Sequence, residues 1–151
     1  MSIAARLKEL GIELPAATAP VGAFVPYVRS GNLVFLSGHI AKRDGQPWAG
    51  QLGAQLAADE GRQAARAVAI DLLGTLQEAV GDLERVGRIV KLLVLVNSAP
   101  GFTAQPTVAN GASELLSAVF GPKGAHARSA LGAAQLPFGA CVEIEMIVET
   151  I

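Results

Sequence analysis

Nothing limits what this chain can fold into more than the run GRIVKLLVLVN, Gly87–Asn97. Apolar side chains fall at both odd and even positions, so a strand here needs cover on both faces and a place inside a sheet. A segment this short, carrying Lys91, does not span a bilayer. The chain must therefore supply other strands to flank this one and helices to cover it.

Both are present. Asp59–Val80 places Ala65, Ala69, Leu72, Leu76 and Ala79 on one helical stripe, with Arg62, Arg66, Gln77 and Glu78 mostly off it, and Gly81 ends it. Pro106–Phe120 is a second helix, with Val108, Ala112, Leu115 and Val119 on one side and Pro106 in its first turn. Asn32–Ala41 is rich in strand-favouring residues, and Asp44-Gly45 marks a turn after it. Two further strands, Ala125–Ala134 and Ala140–Glu149, flank the turn-like LPFG. A short amphipathic helix over Met1–Leu10 and a proline-punctuated stretch, PAATAPVGAFVP, precede them all. The order predicts one α+β domain over residues 1–151: a mixed sheet with two helices on one face and an N-terminal extension over residues 1–19.

Of the 151 residues, 51% are apolar, more than one small domain easily hides, which predicts an oligomer. Twelve lysines and arginines stand against 13 aspartates and glutamates, so no bulk positive charge is available for gripping nucleic acid. Cys141 is the single cysteine, which excludes an internal disulfide and a cysteine-built zinc site. With no apolar signal core at the N-terminus, a cytoplasmic protein is expected.

Candidate chemistry centres on the C-terminal strands. In CVEIEMIVE, Val142, Ile144, Met146 and Val148 share one face; Glu143, Glu145, Ile147 and Glu149 share the other. In HARSAL, His126, Arg128 and Ala130 alternate with Ala127, Ser129 and Leu131. If the small apolar set faces the helices, Arg128 points the same way as Glu143 and Glu145. A guanidinium there either makes a structural ion pair or binds a ligand carboxylate through two parallel hydrogen bonds. His39 and His126 are candidate proton carriers, with a hydrogen-bonded structural role the commoner outcome. Cys141 reads as core packing.

ARSALGAAQLPFGACVEIEM, Ala127–Met146, resembles the C-terminal signature of the RidA/YjgF family of reactive-intermediate deaminases: an Arg-Ser core, then Leu-Pro, then a Val-Glu-Ile-Glu strand. GNLVFLSGHIAKRDG resembles the family's second strand with its Ser-Gly turn, and VANGASELLSAVFG the helix that carries an asparagine. The resemblance runs from about Pro20 to Val148. It implies a chorismate-mutase-like fold, a homotrimer with clefts between subunits, and hydrolysis of enamine and imine intermediates to 2-keto acids and ammonia without a cofactor or metal. It also implies that Arg128 anchors the substrate carboxylate and that Glu143 positions water. Tyr27, Ser37, Gly38 and Asn110 would line the cleft. Two neighbours depart from the usual pattern: Ala130 stands two after the arginine in place of a cysteine, and His39 follows Ser-Gly in place of a glutamine. Two other readings of such a chain are a regulatory trimer that binds small carboxylates without turnover, and an endoribonuclease.

Overall fold

The computed structural model describes all 151 residues. Its frame is a five-stranded sheet built from β1 (Tyr27–Ser30), β2 (Leu33–Ile40), β5 (Val86–Asn97), β6 (Ala127–Ala133) and β7 (Val142–Thr150), in the order β1-β2-β7-β5-β6. Only β5 and β6 run parallel; every other pairing is antiparallel. The doubly apolar β5 is an interior strand, as its pattern requires, and β7 is the central one. Two-residue strands β3 (Lys42–Arg43) and β4 (Gln46–Pro47) form a separate hairpin across Asp44-Gly45, where both residues adopt positive φ, 54° and 75°.

Helices α2 (Ala58–Val80) and α3 (Gln105–Phe120) cover one face of this sheet. Leu72, Leu76, Leu92, Val94, Ile144, Met146, Val108 and Leu116 interlock beneath them in one core. The stripe read for α2 widens in the structure: Leu73, Gly74 and Thr75 are buried too. α3 lies against one side of α2, and the carbonyl of Pro15 lies against another at Gly74. The two helices approach so closely that a Cβ on Gly111 would collide with the Arg62 backbone carbonyl. Asp59 and Glu60 sit in the first turn of α2, where the helix dipole favours them, and the Ala57 N–H donates to the Glu60 carboxylate at 3.1 Å.

The N-terminal helix α1 (Ile3–Glu9) starts on Ser2, which caps the Ala5 N–H, and buries Leu7. Its Arg6 Nη1 donates to the Ala118 carbonyl at 2.9 Å, pinning the segment to α3. No helix is long and apolar enough to cross a membrane.

The other sheet face has no helix over it. Leu33, Leu93, Leu95 and Ile147 are half-buried there, and Val28, Phe35 and Leu131 are exposed, at 53%, 41% and 44%. Glu143, Glu145 and Glu149 share this face with Arg88 and Lys91.

Candidate functional site

The expected site residues separate into two groups on opposite sides of the sheet. The parallel register pairs Leu92 with Arg128, and Leu92 also stands opposite Met146. Both neighbours are buried beneath the helices, so Arg128 points to the helix side. Glu143 and Glu145 project from the opposite face of β7. The expectation that Arg128 shares a face with them is therefore overturned. The physical reason lies in β6: its helix-facing set is His126, Arg128 and Ala130, because an edge strand needs little apolar surface and its hydrogen bonding to β5 fixes the parity.

On the helix side, Arg128 is half-buried and reaches α3. Its Nη1 donates to Asn110 Oδ1 at 2.8 Å and to Ser113 Oγ at 3.1 Å. Of the residues expected to line one cleft, Asn110 is the one that meets Arg128 within the protomer. Ser113 was not anticipated; its spacing of three from Asn110 places both on one helix face, which is the signal that finds it. His126 adjoins the same group, with Nε2 2.9 Å from Ser113 Oγ and Nδ1 2.6 Å from the Gly124 carbonyl. No carboxylate meets the guanidinium. The one ion pair within 4.0 Å joins Arg62 to Glu114, which takes the acid of α3 away from Arg128.

The second group surrounds a break in β2. The register with β7 shifts between Leu36 and His39, and Ser37-Gly38 forms the bulge. The Ser37 N–H donates to the Pro26 carbonyl at 2.9 Å and its hydroxyl to the Val25 carbonyl at 2.6 Å. β1 pairs with β2 only as far as Leu36, so beyond it the sheet edge opens into a cavity of about 720 Å³. Ser37, Gly38 and Glu143 line it together with Phe24, Phe138 and His39. Gly38 leaves room for the Glu143 carboxylate, which a Cβ there would displace.

Glu143 makes no ion pair, and its carboxyl is pushed above the ordinary range, first by burial and then by Glu145. Burial likewise raises Asp71, which lines the same cavity. His39 is turned toward α2, with Nδ1 2.8 Å from the Ser37 carbonyl and Nε2 2.8 Å from Thr75 Oγ1. Burial lowers its pKa, so the neutral ring donates from Nδ1 and accepts the Thr75 hydroxyl at Nε2. Both nitrogens are thereby engaged, the structural role that the sequence reading weighed as the commoner one. Tyr27 joins neither group; it stands opposite Leu36 on the helix side, partly packed on the core. Cys141 is fully buried and its thiol is pushed up to about 11, in keeping with packing.

Residues 4–149 match the family described as "YjgF/chorismate mutase-like, putative endoribonuclease". This chain belongs to the RidA/YjgF family. Within reach of it, Protein TCP17 of Trypanosoma cruzi is 54% identical over 97% of this chain and 93% of its own length. The crystal structure of Atu1372 from Agrobacterium tumefaciens, a protein described as of unknown function, matches with 41% identity and a TM-score of 0.91 over 99% of this chain and 92% of its own. More distant is TdcF of E. coli, solved with bound serine: 25% identity and a TM-score of 0.58 over 93% of this chain and 98% of its own. The family membership carries the chorismate-mutase-like fold with it.

Proposed function

We propose that the protein is a homotrimeric hydrolase of 2-imino acids, with each active site completed across a subunit boundary. One protomer would supply Arg128 and Asn110, and the next Glu143, Ser37 and Gly38. The observation that carries this reading is the state of Arg128: a half-buried guanidinium held by neutral oxygens alone. Such a cation has given up part of its hydration with no counter-charge in return, and a ligand carboxylate supplies that charge. TdcF, a family relative, was solved with serine, a small amino acid with a carboxylate of this kind.

Two further features support an assembly of several copies. Arg128 and Glu143 stand on opposite sides of one sheet, so a single protomer cannot apply both to one small molecule. The helix-free face, with Phe35 and Leu131 open to water, asks for cover by other copies.

The chemistry is undemanding. An iminium carbon is already electrophilic. Water adds to it, a proton moves to nitrogen, and the tetrahedral adduct releases ammonia to leave a 2-keto acid. Anchoring the carboxylate sets the distance and approach of the water. Glu143, whose proton affinity is raised by burial, is the stronger base for it. RNA is disfavoured on the helix-free face, where Glu143, Glu145 and Glu149 stand against Arg88 and Lys91 and leave no net positive charge.

The test is ammonia release from 2-iminobutanoate generated in situ, with the assembly mass measured on the same sample. Release above the buffer rate from a three-chain particle, lost in Arg128→Ala, supports the reading. Release equal to buffer overturns the hydrolase, and Arg128-dependent binding of 2-oxobutanoate without release then selects the regulatory binder.

A further inference from the structure

We infer that Ser113 and His126 are positioning residues for Arg128, forming a one-way hydrogen-bond relay that leaves the carboxylate-binding edge of the guanidinium free; this rests on the ligand role proposed for Arg128. The direction of each bond follows from what each group can do. The Gly124 carbonyl only accepts, so His126 Nδ1 carries a hydrogen and donates at 2.6 Å. In the tautomer that carries its one hydrogen there, Nε2 is an acceptor. The Ser113 hydroxyl has a single hydrogen and gives it to that nitrogen at 2.9 Å. Its oxygen lone pairs are turned to Arg128, and Nη1 donates to them at 3.1 Å.

A serine hydroxyl left to itself could aim its hydrogen at the guanidinium and repel it. His126 prevents this by occupying that hydrogen. Asn110 Oδ1 takes the second Nη1 hydrogen at 2.8 Å. Both hydrogens of Nη1 are therefore held on α3, while Nη2 and Nε make no hydrogen bond within the protomer. Those two nitrogens form a fork that matches a carboxylate in two parallel hydrogen bonds. Asn110, Ser113 and, through the Ser113 hydroxyl, His126 fix the cation's orientation without cancelling its charge. A carboxylate in place of Ser113 would hold the side chain equally well and abolish the anion site.

The test is calorimetric titration of the intact protein with 2-oxobutanoate. Ser113→Ala and His126→Phe are each expected to weaken binding by about tenfold. The double variant should bind no worse than Ser113→Ala alone, because His126 acts only through the hydroxyl. Ser113→Thr, which keeps the hydroxyl, should restore binding. Thermal melts of the same variants separate the relay from folding, since a purely structural role moves the melting temperature but neither the rescue nor the non-additivity. Arg128→Ala, run alongside, separates the two levels. If it binds as wild type does, the ligand role of Arg128 fails and the relay with it. If it abolishes binding while the Ser113 and His126 variants bind normally, or their losses simply add, the relay is wrong and the ligand role stands.

Discussion

Arg128 and Glu143 are the two charged side chains on which a 2-imino acid site would depend, and the fold treats them in opposite ways. Arg128 lies at the sheet edge, with Nη1 held by Asn110 and Ser113 and the rest of the guanidinium unbonded within the protomer. Glu143 lies over Gly38 beside a cavity, with no ion pair, and burial drives its carboxyl toward the protonated form. The cation is pre-oriented and stays charged; the acid is left unsatisfied and easily protonated. This division suits a site in which one half binds and the other moves a proton, since binding rewards rigidity and proton transfer rewards a shifted affinity.

The comparison is broken most severely at the arginine. Arg128→Ala should weaken 2-oxobutanoate binding by about a hundredfold or more, measured by calorimetry, because it removes the guanidinium that Asn110 and Ser113 orient. Next comes the helix that holds it. Gly111→Ala drives a methyl into the Arg62 carbonyl and forces α3 away from α2. A loss of about 5–10 °C in melting temperature is expected, together with weaker carboxylate binding, since Asn110 and Ser113 move with the helix. The matching change on the other half is milder for folding. Gly38→Ala pushes aside the flexible Glu143 carboxylate. Imine hydrolysis should slow by about tenfold or more while 2-oxobutanoate affinity holds within about twofold, so the two halves separate in a single assay pair.

The smallest effect is on stability against pH. The folded state holds the Glu143 proton more tightly than the unfolded chain does. No penalty exists below the ordinary carboxylate range, and one develops as pH rises through the elevated folded value. Glu143→Gln removes it, so the variant should melt about 1–2 °C above wild type at pH 7, with the gap closing below about pH 4. His39 has the opposite sign: its folded pKa is lowered, so its contribution is complete above its unfolded value and is lost as pH falls toward the folded one.

Much of the scaffold was legible in the sequence because period and face agreed. α2 and α3 begin and end within a residue of where their apolar spacing and their Gly and Pro residues place them, and β7 buries the Val142, Ile144, Met146 and Val148 set as read. β6 resisted for a physical reason. Alanine and glycine fill most of both faces and its one large apolar residue, Leu131, lies on the exposed one, so hydrophobicity does not choose the side; the parallel register with β5 chooses it. The bulge at Ser37-Gly38 escaped likewise, because nothing in LSGHI distinguishes an extra residue from a regular strand, yet it decides that His39 stands opposite Ile144 on the helix side and meets Thr75. The arginine and His126 were legible in HARSAL itself, and the asparagine came from the family resemblance. Ser113, which links them, came only from the fold.

A crystal soaked with 2-oxobutanoate tests the central claim most directly. The account predicts the ligand carboxylate in two parallel hydrogen bonds to Nε and Nη2 of Arg128, at a boundary where Glu143 of a neighbouring subunit approaches the keto carbon. A ligand seated elsewhere, or Arg128 closed over by another subunit's acid with no room for a small molecule, would contradict it.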